Sequence, residues 1–135
     1  MTRELTDRDF QALATFRHAL RVFVRFSEEA ARTAGVTPAQ HQLLLAIRGW
    51  DGADPPSIGD LAERLQLKHH STAELVQRAT DAGLVVSSPD PADGRRHLPH
   101  LTPHGQEVLA SLSVLHRDEL RRFRTEMHDI LSELD

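Results

Sequence analysis

Ser57-Ile58-Gly59-Asp60-Leu61-Ala62-Glu63-Arg64-Leu65, the link Gln66-Leu67-Lys68 and the run ending Ala79-Thr80-Asp81-Ala82-Gly83 decide how this chain folds. Ser57 and Asp60 have capping-box spacing, in which the hydroxyl accepts from the amide three residues on and the carboxylate reaches back. A short helix through Leu65 follows, with Ile58, Leu61, Ala62 and Leu65 on its inner face. After the link a second helix runs to about Ala82, with Thr72, Leu75, Val76 and Ala79 at helical spacing on the buried side. Its start is open on these residues, because Ser71 with Glu74 also makes a cap. Two β-favouring runs come next, Leu84 to Ser87 and Leu98 to Leu101, with Asp93-Gly94 as the turn signal between them. Pro99 cannot donate to a ladder, so the second strand must lie at an edge or be bulged there.

Outward from this centre the chain reads as helix. From Thr6 to about Ala34 there is no proline or glycine, and Phe10, Leu13, Phe16, Leu20, Phe23 and Val24 recur at three- and four-residue steps as an apolar face. Thr6 with Asp9 caps its start and Gly35 ends it. Thr37-Pro38-Ala39-Gln40 opens another helix, with Leu43, Leu44 and Ile47 inward, and the run from Gly49 to Pro56 is a loop. Thr102-Pro103 starts a final helical region carrying Val108, Leu109, Leu112, Leu115, Leu120, Phe123, Met127, Ile130, Leu131 and Leu134. The expected class is mainly α with a small β-hairpin.

A short helix, a tight link, a second helix and a hairpin form the winged helix-turn-helix order, in which the second helix enters the major groove of duplex DNA and the hairpin reaches beside it. Such a helix must offer groups that bond base edges, and its start and the wing must engage phosphates. His70, Ser71, Glu74, Gln77 and Arg78 meet the first need and Arg95 and Arg96 at the wing tip the second, with Lys68 and His69 at the helix start as further DNA-binding candidates. Glu74 repels phosphates unless it pairs with Arg78 one turn on or accepts from a cytosine amino group.

Leu61-Ala62-Glu63-Arg64-Leu65, the exit Gly83-Leu84-Val85, the wing Asp93-Gly94-Arg95-Arg96 and Leu101-Thr102-Pro103-His104-Gly105 resemble the pattern of the MarR (multiple antibiotic resistance) regulators. The wing is the most specific element, similar to that family's Asp-x-Arg followed by Leu-Thr-x-x-Gly, and the likeness covers nearly the whole chain. It places the start of the second helix near Lys68. It also implies one domain over 1–135, with residues 6–34 and 102–135 as dimerisation helices around a DNA-binding part, 37–101. The implied function is a homodimeric repressor on a palindromic operator, released by a small aromatic or anionic effector. Pro99, where the family carries a β-branched residue, and Ala79, where it carries leucine, depart from the pattern. A winged helix that binds only protein is the alternative reading.

Composition bounds the rest. The 135 residues are 39% hydrophobic and 27% charged, which suits one compact domain. The absence of cysteine excludes disulfides and thiol chemistry, and no cofactor or metal site is expected. There is no Gly-rich phosphate loop, no Gly-x-Ser-x-Gly elbow and no paired carboxylates in an apolar setting, so an enzyme is not expected. No membrane-spanning run or signal stretch is seen, so a cytoplasmic location is expected. The net charge of −4 does not itself suggest a nucleic-acid partner, but it counts nine histidines as neutral. His69, His70, His97 and His100 are expected to strengthen DNA binding when protonated. His97, His100 and His104 span a strand and a helix start, unlike a zinc site, and are read as surface histidines. Arg17, Arg21 and Arg25 read as a solvated stripe, and His41 and Trp50, which lie where the family's effector crevice would be, read equally well as a partly buried histidine and a core tryptophan.

Overall fold

The computed structural model describes residues 3–134. Five helices and one hairpin follow in the order α1 (Asp7–Thr33), α2 (Pro38–Arg48), α3 (Ile58–Leu65), α4 (His69–Asp81), β1 (Val85–Pro89), β2 (His97–Leu101) and α5 (Pro103–Ser132). Local chemistry sets most boundaries. Thr6, Thr37 and Ser57 each accept from the amide three residues on, and Asp9, Gln40 and Asp60 bond back to the cap amide. Thr102 caps α5, with proline following at the first position. α4 takes the earlier start: Lys68 precedes it with no side-chain cap, and Ser71 lies within its first turn.

The turn between α3 and α4 is tight because Gln66 adopts the left-handed conformation (φ 55°) and its side-chain amide donates to the Glu63 carbonyl at 2.7 Å. β1 and β2 pair antiparallel without a break from Val85↔Leu101 to Pro89↔His97. Both strands extend beyond the sequence expectation, and Pro99 sits opposite Ser87 in a two-stranded sheet. Having no third strand beside β2 among the described residues, the ladder loses nothing at Pro99.

The core lies where α2, α3 and α4 meet the hairpin and the flanks of α1 and α5. Leu43, Leu44, Leu61, Leu84, Val85 and Leu112 are buried there with Val76, Ala79 and Leu109. A smaller cluster joins the far ends of α1 and α5 through Ala12, Ala19 and Ile130, with Phe16, Phe123 and Met127 against it.

The apolar face expected on α1 is corrected in part: Phe16, Leu20 and Phe23 are half-buried, but Phe10, Leu13 and Val24 are not. The buried residues of α1 are mostly small, Ala12, Ala19, Ser27 and Ala31, whereas Phe10 and Leu13 are 54% and 49% exposed and Val24 is also exposed. Small side chains let α1 lie close to α5, with Phe16 and Phe23 packed at the seam and Phe10, Leu13 and Val24 turned away from it. Leu115, Leu120 and Leu131 on α5, and Leu134 just after it, are exposed too. Trp50 is half-buried on the loop rather than in the core: its indole N–H donates to the Asp54 carbonyl at 2.9 Å and Arg64 stacks over its ring. No helix among the described residues is long and apolar enough to cross a membrane.

One joint ties the wing to α5. Gly83 ends α4 with φ 74°, its carbonyl accepts from the Thr102 hydroxyl at 2.6 Å, and the Leu84 carbonyl accepts from the Thr102 amide at 3.0 Å. Gly105 then packs onto the Leu84 backbone so closely that any Cβ would collide with its carbonyl oxygen. The Leu-Thr-x-x-Gly pattern thus has a steric cause.

Candidate nucleic-acid interface

α4 turns Thr72, Val76 and Ala79 into the core and leaves His69, His70, Glu74, Gln77 and Arg78 on the outside, with Ser71 half-buried at the edge. The helix is therefore held from behind by packing while a polar face stays available. Gln77 donates to Asp81 at 3.0 Å. No ion pair joins Glu74 to Arg78 among the described residues, so the carboxylate is not neutralised within its own helix. Lys68 supplies no side-chain oxygen, so the first-turn amides of α4 lack an internal side-chain acceptor, as suits a helix start that meets an anion.

The wing tip is ordered by its own bonds. The Asp90 amide donates to the Arg96 carbonyl at 2.8 Å, and the Arg96 amide to the Asp93 carbonyl at 3.0 Å. Asp93 accepts from both the amide and the guanidinium of Arg95, which holds its carboxyl below the usual carboxylate range. Arg95 nonetheless leaves 91% of its side chain exposed, and Arg96 is exposed with no ion pair among the described residues.

A cleft of about 440 Å³ opens between the start of α3, the start of α4 and the wing. Ser57, Gly59, His69, Arg95, Arg96 and His97 line it. Of the sequence-predicted residues, His69, Arg95 and Arg96 are brought together here; Lys68, His70, Ser71, Glu74, Gln77 and Arg78 lie along α4 outside the cleft. Ser57 and Gly59 were not read as site residues, and His97 was read only as one of the histidines that strengthen binding when protonated. Residues 57 and 97 meet only through the tertiary fold, and nothing in their local pattern signals it. His100, grouped with His97 in the sequence, is bonded to the Ser88 hydroxyl at 3.0 Å.

A second histidine pair lies at the junction of α1, α2 and α5. His41 is 3% exposed, and its ring centre is 4.8 Å from that of His116. A carbonyl only accepts, so the His116 Nδ1, 2.7 Å from the Leu112 oxygen, carries the proton, and in the neutral ring Nε2 accepts from the Ser27 hydroxyl at 2.9 Å. Phe23 and Phe26 meet the His116 ring edge-on. Burial, and then the neighbouring His116, hold His41 below the ordinary imidazole value.

A two-helix unit braced from behind, followed by a hairpin with arginines at its tip, defines a winged helix-turn-helix protein. Residues 34–96 match the MarR family model, and the whole fold agrees with that of a solved MarR family regulator. It is similar to AbsC, a MarR family transcriptional regulator of Streptomyces coelicolor, with 25% identity, a TM-score of 0.76, and 99% of this chain and 91% of that one covered. A point mutant of Staphylococcus aureus MepR, bound to an oligodeoxyribonucleotide, superposes with a TM-score of 0.69 at 18% identity, covering 98% of this chain and 100% of that one. Bordetella bronchiseptica BpsR, whose DNA binding is regulated by 6-hydroxynicotinic acid, gives 0.67 at 20% identity, with 99% and 95% covered. A transcriptional regulatory protein assigned to the hcr operon of Thauera aromatica is 30% identical over 105 residues. That match takes in 76% of this chain and 61% of the relative, so the chain spans less than two thirds of that protein's length.

Proposed function

We propose that the chain is a transcriptional regulator that binds duplex DNA as a homodimer, lays α4 in the major groove and sets the wing against the flanking backbone. The observation that carries this is the shared cleft: the start of α4 and the wing-tip arginines meet at one surface, beside the exposed polar face of α4. The exposed leucines of α1 and α5 support the dimer, because each such side chain gains about 1.5–3 kcal/mol on burial. A two-fold dimer presents two α4 helices and so asks for a palindromic operator. Repression relieved by a small aromatic or anionic effector is the regulatory reading, supported by what BpsR does.

Titration of the purified protein against duplex from its own upstream region, at two salt concentrations and with an unrelated duplex as competitor, tests this. Specific binding weakened by salt is expected, and Arg95→Ala with Arg96→Ala should weaken all duplexes and flatten the salt dependence by about one unit of slope per lost contact. The net charge of −4 and the unpaired Glu74 favour the second reading, a winged helix that binds protein. Binding without preference over the competitor at either salt would select it.

A further inference from the structure

Three of the wing-side histidines differ in what they are free to do. His100 is held by Ser88. His69, in the first turn of α4, and His97, at the start of β2, are exposed, line the same cleft as Arg95 and Arg96, and make no side-chain hydrogen bond among the described residues. No carboxylate among the described residues lines that cleft. Building on the DNA-binding reading above, we propose that this cleft seats one backbone phosphate of duplex DNA, held by Arg95 and Arg96 at every pH and by His69 and His97 only when they are protonated.

The chemistry follows from the lining. A neutral imidazole offers a phosphate one N–H and no charge, whereas an imidazolium offers two donors and a full positive charge. Between pH 8 and pH 5 imidazole is the side chain that makes this change. The charged neighbours do not forestall it. On α3, Asp60 is engaged by the Ser57 amide at 3.0 Å. On α4, Lys68 and His70 add positive charge or none. On the wing, Asp93 is matched by Arg95, and Arg96 is a further cation. A seated phosphate, being an anion, favours the charged form of an imidazole beside it. DNA binding is then coupled to proton uptake, and affinity climbs as pH falls.

Fluorescence anisotropy of the full chain on a labelled duplex, over a salt series at pH 6 and pH 8, tests this. Charge-assisted bonds from the two imidazolium rings to the seated phosphate should raise affinity about ten-fold at pH 6 over pH 8 at each salt concentration. In the His69→Gln/His97→Gln double variant, checked for folding by circular dichroism, the ratio of affinities at the two pH values should fall to near one. A wild-type affinity equal at both pH values, or a double variant that keeps the wild-type ratio, would overturn the proposal. Failure of the wild type to bind duplex at pH 8 in low salt would instead sink the DNA-binding reading on which it rests.

Discussion

The two ends of this molecule handle their apolar residues in opposite ways. In the winged part, Leu61, Val76, Ala79, Leu84 and Val85 are buried, and what remains outside α4 and at the wing tip is polar or charged. In the helical part, α1 buries mainly small residues and α5 buries Leu109, Leu112 and Ile130, and together they leave Phe10, Leu13, Leu115 and Leu120 about half exposed. Both segments are amphipathic by sequence, yet only the first completes its core within one chain. The contrast teaches that an apolar stripe marks a surface to be covered without saying whether the cover is the same chain or a second copy.

The largest expected effect breaks the comparison at the joint between the two parts. Gly105→Ala drives a methyl group into the Leu84 carbonyl and should cost about 3 kcal/mol or more, read as a lowered urea midpoint with loss of DNA binding. A midpoint unchanged from wild type would show that α5 can shift freely away from the wing. Next, Leu115→Glu with Leu120→Glu should raise the dimer dissociation constant about a hundred-fold or more, measured by light scattering, while circular dichroism stays that of the folded chain. The same pair of substitutions unfolding the chain would mean that those leucines serve the core of the protomer itself.

The smallest effect concerns His41, where the parts meet. Its folded-state pKa lies below the ordinary 6.5 because burial penalises the charged ring. As pH falls from about 6.5 toward the folded value, the unfolded chain takes up a proton that the native protein does not, so stability is present above that window and lost within it. The thermal midpoint should decline on acidification from about pH 7 to pH 5.5, and decline less in His41→Phe. Parallel pH profiles for the two proteins would show that other groups govern acid stability.

These contrasts also explain what could be read in advance. The helix starts at Thr6, Thr37, Ser57 and Thr102 were legible because a cap and its partner lie three residues apart. The inner faces of α2, α3 and α4 were legible because one chain satisfies them. The face of α1 was not: Phe10, Leu13 and Val24 outweigh Ala12 and Ala19 on any scale of hydrophobicity, yet close helix approach selects the alanines. At the candidate interface, the exposed face of α4 and the wing-tip placement of Arg95 and Arg96 were legible from element order. Their meeting with Ser57, Gly59 and His97, and the pairing of His41 with His116, depend on chain crossings that no local pattern encodes.

The joint at Thr102 and Gly105 has one more consequence. Clamped to the base of the wing, α5 is a rigid arm of 30 residues, about 45 Å long. A few degrees of swing at its far end cannot be absorbed by slack where the arm is fastened, because two hydrogen bonds and a backbone contact leave none. In the dimer proposed above the arm acts as a lever: a small change in how two protomers cross sets the distance between their two wings, and the spacing of the half-sites they can span together.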